Sequence, residues 1–222
     1  MGKESYKRVM LRHGAKEPLF GVSIGDMKPI QKQIKKDYQL ALDLFDTGVY
    51  DAMYLAGLIA DDAKMTPSDL QNWLNQSNCD AISNVTVAWV AAESPHGWDM
   101  GLKWIAEPDE KSKGAGWSTL SCWVALRPDS ELDIPKLREL IHRVKNTIHS
   151  EPNDLRYSMN SFLISVGCYV LELTDEVKKV AELIGKIDVH LVGDCKLPGI
   201  AEYIKKVEDR GTLGKKRKTV KC

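Results

Sequence analysis

The stretch from Tyr50 to Asn84, YDAMYLAGLIADDAKMTPSDLQNWLNQSNCDAISN, constrains the fold more than any other part of the chain. Met53, Leu55, Leu58 and Ile59 recur at helical spacing, with Ala52, Ala56 and Ala60 between them. That period predicts a helix over 50–63, and its small residues let a neighbouring helix come close. Asp61 and Asp62 stand near the predicted end, where the helix dipole mildly disfavours negative charge. Thr66-Pro67-Ser68-Asp69 is then a start signal. Thr66 can cap, Pro67 suits the first helical position, and Asp69 completes a variant capping box. Leu70, Trp73 and Leu74 form the buried stripe of this second helix, and a third opens near residue 79. Taken alone, the pattern describes an ordinary helical hairpin.

The rest of the chain repeats the theme. A short helix is expected from about Glu4 to Leu11, followed by a loop broken by Gly14, Pro18, Gly21 and Gly25. Asp26 can cap the next helix, with Pro29 tolerated in its first turn. Leu40, Leu42, Leu44 and Phe45 mark a short helix ended by Gly48. Longer helices are predicted over 79–92, 112–126 and 154–171, each preceded by a shorter apolar segment. Ser94-Pro95 and Pro108 bracket a further helix, and Asp133 caps the one carrying Leu137, Leu140, Ile141 and Val144. Thr174-Asp175-Glu176 starts another. IDVHLVGDCKLPG alone reads as strand or loop, ahead of a last helix in LPGIAEYIKKVEDRG. The units recur at roughly thirty to forty-five residues, as in helical pairs that bury their faces only by stacking. No linker and no parallel-sheet pattern interrupts them. The expectation is one all-α domain over 1–222, with a basic tail over 211–222.

Lysine plus arginine and aspartate plus glutamate number 31 each, so only the distribution of charge can argue for a polyanionic partner. No apolar run approaches the length of a membrane span. The N-terminus, MGKESYKRVM, lacks an apolar signal core, which predicts a cytoplasmic protein. Five scattered cysteines show no CxxC spacing, which argues against a zinc site or a disulfide scaffold. HExxH, P-loop, GxSxG and GxGxxG motifs are absent, and no cofactor or metal is expected. Asp188, His190, Asp194 and Cys195 cluster in the loop-like stretch, where structural loop chemistry competes with metal or nucleophilic roles.

The run YLAGLIADDAKMTPSDLQNWL resembles the signature segment of the DNA alkylation repair family. GVSIGDMKPIQKQIKKDYQLALDLFDTGVYDA is similar to the family's N-terminal part. The region from Leu155 to Cys222 resembles the C-terminal part of one uncharacterised branch. The resemblance implies HEAT-like helical repeats stacked into an α-α superhelix, a short solenoid whose concave basic face cradles double-stranded DNA that is damaged or branched. It also implies a test of the family's glycosidic chemistry. Active members use a tryptophan, an aspartate four residues later, and a second tryptophan and arginines in later repeats. Aligned by eye, Cys79 stands in place of that tryptophan and Ser83 in place of the aspartate. The later Trp-x-x-Arg falls on Ser161 and Ile164, and an arginine position falls near Lys113 or Gly114. Asp80 is the carboxylate left nearby. The expected function is therefore DNA binding. The alternatives are an alkylpurine glycosylase with a rearranged site built on Asp80 and Trp117, and a protein-interaction scaffold.

Several residues are candidates for nucleic-acid contact. Lys113 and Trp117 follow a lysine- and glycine-rich helix opening, which suits phosphate contacts through backbone N–H groups and base stacking. A buried anchor is the other reading of Trp117. Arg156 and Tyr157 hold a similar place at a later helix start. Lys215, Lys216, Arg217 and Lys218 are consecutive, a run that binds polyanions or is simply solvated.

Overall fold

The computed structural model describes residues 2–193 and 195–221, and every regular element among them is helical. The chain packs as two compact units, Met1–Thr119 with Lys221–Cys222, and Leu120–Val220. The boundary falls inside one helix.

The first unit holds α1 (Glu4–Arg12), α2 (Ile24–Ile34), α3 (Tyr38–Asp46), α4 (Tyr50–Ile59), α5 (Pro67–Gln76), α6 (Ala88–Glu93), α7 (Gly97–Trp104) and the first turns of α8 (Glu110–Leu126). The capping box at Thr66 forms as its sequence predicts: the Thr66 hydroxyl accepts from the Asp69 N–H, and Asp69 accepts from the Thr66 N–H. Ser23, rather than Asp26, caps α2, and its hydroxyl donates to the Asp26 carboxylate. The helix predicted to reach residue 63 stops at Ile59. Beyond it Asp62, 2% exposed, accepts from Lys36 at 3.1 Å and Lys221 at 2.5 Å. A buried carboxylate needs such partners, and a continued α-helix would leave it elsewhere.

The predicted helix over 79–92 also differs. Residues Ala81–Val87 form a π-helix that runs into α6. Runs of π-helix are rare and concentrate at functional positions. It packs on α4 at Gly57, where any β-carbon would collide with the Thr86 methyl. The core is aromatic: Phe45 stacks on Trp73 at 4.1 Å, and Tyr54 meets Trp89 edge-on at 5.7 Å. Asp51, 6% exposed, accepts from the N–H groups of Phe20 and Val22, both at 2.6 Å, and so pins the loop before α2.

The second unit holds the end of α8, α9 (Ile134–Thr147), α10 (Asn153–Tyr169), α11 (Thr174–Ile184) and α12 (Ile200–Asp209). α10 is its centre, with Leu155, Met159, Phe162, Leu163 and Val166 buried. α9, α11 and α12 lay their apolar stripes on it, as their helical periodicity predicts. Residues 185–199 carry no regular structure among those described. The tail is docked: the Gly214 N–H donates to Cys168 O and the Arg217 N–H to Ala125 O, both at 2.8 Å.

Two substitutions test this packing. Gly57→Ala should lower unfolding free energy by about 1–3 kcal/mol in a urea titration, because the added methyl has no room. Asp51→Asn presents an amide where the loop N–H groups need an acceptor, and should cost about 1–3 kcal/mol.

Candidate nucleic-acid interface

Cys79, Asp80 and Ser83, singled out by the sequence resemblance, lie at the start of the π-helix. Cys79 is half-buried, and burial raises its thiol pKa above the ordinary value despite hydrogen bonds from nearby backbone N–H groups. Ser83 is 0% exposed, and its hydroxyl is engaged by Asn84 Oδ1 at 3.0 Å and Cys79 O at 3.4 Å. A neutral buried hydroxyl cannot stabilise an oxocarbenium ion as a carboxylate would. Asp80 is exposed and lines an open cleft of about 500 Å³ with Lys16, Asn78, Cys79 and Lys111. None of the residues lining that cleft is aromatic.

The α8 opening corrects the sequence expectation in two ways. The Asp109 side chain accepts from the Ser112 N–H at 2.8 Å. A carboxylate of the chain itself therefore sits where a phosphate would bind the helix N-terminus. Burial works against the charge of Asp109, but these hydrogen bonds prevail and hold its pKa below the ordinary value. The glycines serve packing. A β-carbon at Gly114 would lie 2.9 Å from Asn84 Nδ2, and one at Gly116 would lie 2.7 Å from Ile105 N. Trp117 is 1% exposed and leaves no ring face for a base. It is the buried anchor. Lys113, one turn earlier, is partly exposed.

In the second unit, Arg156 donates from Nε to Glu151 O at 2.7 Å and from Nη1 to Asp188 O at 2.9 Å. These bonds hold down the start of the loop after α11 and occupy much of its guanidinium. Tyr157 beside it is 42% exposed. Asn153 brackets His190, accepting from its N–H and donating to its carbonyl. The polar loop cluster is thus tied in through the backbone of Asp188 and His190, while Asp194 lies outside the described residues. Ser161 is half-buried and Ile164 is 9% exposed.

The four tail cations separate. Lys216 is internal: its ammonium donates to Val124 O at 2.9 Å and pairs with Asp129 at 2.7 Å. Lys215, Arg217 and Lys218 are exposed. Beyond the run, Lys221 is held by Asp62. Sequence reading does not single out the basic face of α1, where Arg8 and Arg12 are exposed, with Lys16 just beyond. The repeated cations of this segment, set on an amphipathic helix, are the signal for it.

These are features of an all-helical protein with scattered surface cations. The model of a family described as DNA alkylation repair enzyme matches residues 1–176, and the chain belongs to this family. An uncharacterised protein of Listeria innocua is 30% identical over 210 residues, covering 91% of this chain and 90% of its own. An uncharacterised protein of Listeria monocytogenes is 29% identical with the same coverage. A solved structure with a TM-score of 0.91 and 39% identity covers 100% of this chain and 94% of its own. It is described as a new family of proteins related to the HEAT-like repeat DNA glycosylases, with affinity for branched DNA structures. Among the described residues, no helix is long and apolar enough to cross a membrane.

Trp117→Ala should destabilise the protein by about 3–5 kcal/mol in denaturant melts, as the loss of a core indole does. At neutral pH Cys79 should react with iodoacetamide more slowly than a free thiol, because its raised pKa leaves little thiolate. Peptide mapping after timed labelling reads the rate.

Proposed function

We propose that this protein binds branched or distorted double-stranded DNA and does not excise bases. The likeness to a protein described as having affinity for branched DNA carries this reading, because it runs the whole length of the chain. The residues add to it. Where the resemblance leads one to expect a tryptophan and an aspartate, the chain holds Cys79 and the buried Ser83, and no aromatic residue lines the cleft of Asp80. The exposed cations Lys215, Arg217 and Lys218 supply phosphate contacts that Lys216, already paired with Asp129, supplies less well. Such contacts grip a backbone without reading sequence, which suits recognition of DNA by shape. A cytoplasmic location and a concave basic face belong to the same reading.

The test pairs binding with chemistry. A four-way junction should bind at least about tenfold tighter than a linear duplex of equal length at moderate salt. Replacing Lys215, Arg217 and Lys218 by alanine should weaken binding and reduce the slope of log affinity against log salt by about 2–3. Replacing Lys216 alone should change the slope by less than about one. Alkylated duplex incubated with protein in excess should release no methylated base. Release that disappears in Asp80→Asn would overturn the reading and make the protein a glycosylase. Absence of both release and DNA retention at low salt would make it a helical interaction scaffold.

A further inference from the structure

The first unit contains a cavity that neither its core packing nor the binding of DNA backbone explains. It has a volume of about 210 Å³ and lies between α1, α2, α4 and the start of the π-helix. Its floor is made by Tyr50 and Tyr54, one turn apart on α4, and by Met27 of α2. These three are 6%, 7% and 1% exposed. Its rim is made by Tyr6, Met10 and His13, which are half-buried or exposed and come from α1 and the residue that ends it. Ala81, the first residue of the π-helix, contributes one wall.

Three properties indicate what would fill it. The first is size: an apolar cavity of about 150 Å³ accepts benzene, so this one has room for a single aromatic ring with its polar substituents. The second is the lining, in which three tyrosine rings and two thioethers offer flat and polarizable surface for a planar ring. The third is polarity placed inside an otherwise apolar wall. The hydroxyl of Tyr50 has no hydrogen-bond partner among the described residues; although the residue is only 6% exposed, the hydroxyl itself is not sealed from solvent, so water or a ligand atom can reach it. Burial raises its ionisation well above the ordinary phenol value, so the hydroxyl stays neutral and able to donate. A ligand atom that pairs with it takes the place of the water that otherwise solvates it. His13 at the mouth adds a second donor or acceptor.

We propose that this cavity receives an unpaired nucleobase, a single-ring pyrimidine first, drawn from a branch point or other break in pairing. The proposal rests on the DNA-binding reading above and names the part of the DNA that this site would take. The surroundings fit a nucleotide rather than a free apolar molecule. Arg8 and Arg12 are exposed on α1, the helix that supplies Tyr6 and Met10 to the cavity, and Lys16 and Lys111 line the neighbouring cleft, so cations for the phosphates of a nucleotide come from the same segments. At a branch point the base has already lost its partner, so extrusion costs less than it does from intact duplex. Stacking between tyrosines tolerates different bases, and the bottom of the cavity limits how large a base can enter. No bond to the base need break, since Asp80 faces the neighbouring cleft and is not among the residues lining this cavity.

The experiment uses the full chain and three versions of one three-way junction: thymines left unpaired at the branch point, abasic spacers in their place, and complete pairing. Fluorescence anisotropy should show the thymine junction binding about tenfold tighter than the abasic one, in line with stacking of one base on aromatic side chains. Ala81→Leu, which fills the cavity, should bring the two within about twofold while leaving the fully paired junction unaffected. Tyr50→Phe keeps the ring and removes a hydroxyl that bonds to no other described residue, so its melting temperature should match the parent protein. Its affinity for the thymine junction should fall about threefold to tenfold. If Ala81→Leu unfolds, Tyr50→Phe carries the test. Equal affinity for the thymine and abasic junctions overturns the proposal but leaves branched-DNA binding intact. So does a difference that persists undiminished in a folded variant. Failure to bind any of the three junctions overturns both readings.

Discussion

Close approach between helices at positions without side chains is the constraint on which the first unit depends. α4 and the π-helix meet at Gly57, against the Thr86 methyl, and α7 meets α8 at Gly116, against the backbone of Gly101 and Ile105. Short interhelical distance lets large aromatics fill the remaining volume without gaps, as dense packing requires. Trp73, Trp104 and Trp117 are accordingly buried to 1% exposure or less. The same closeness explains why the glycine-rich opening of α8 serves the core and not a phosphate. A glycine needed for packing and a glycine needed for anion binding look alike in a sequence, because both are chosen for the missing β-carbon.

Charge follows a parallel rule. Asp51 and Asp62 turn inward, and they and the exposed Asp109 satisfy backbone N–H groups or lysines. Lysines and arginines that look free along the chain often have internal partners: Lys221 on Asp62, Lys216 on Asp129, Arg156 on two carbonyls. Equal numbers of acidic and basic residues therefore describe mutual neutralisation in part, and leave the exposed cations of α1 and the tail as the surface charge of interest. Counting a basic run overstates its reach toward a polyanion wherever the structure has already engaged one of its members.

The family's chemistry is where sequence and structure inform each other most. The identities of Cys79, Asp80 and Ser83 can be read from the sequence alone. Their environments cannot. Ser83 faces inward within a π-helix and Asp80 faces an open cleft. A shift from α to π register moves every later side chain around the axis, so helical-wheel reasoning fails from that point. The tyrosine-lined cavity was equally hidden, because Tyr6 lies far in sequence from Tyr50 and Tyr54 and only packing brings them together.

Sequence by itself determined the all-helical class, the capping box at Thr66 and the buried stripes of α5, α9 and α11. These follow from local periodicity and short-range hydrogen bonding, which a chain expresses regardless of its distant partners. Tertiary structure alone decided that α4 ends at Ile59, that residues 81–87 adopt π-helix, that Trp117 is core, and that Lys216 and Lys221 are engaged internally. Each of those outcomes depends on a partner distant in the chain or on the space left between helices, and neither distance nor volume is written in local sequence.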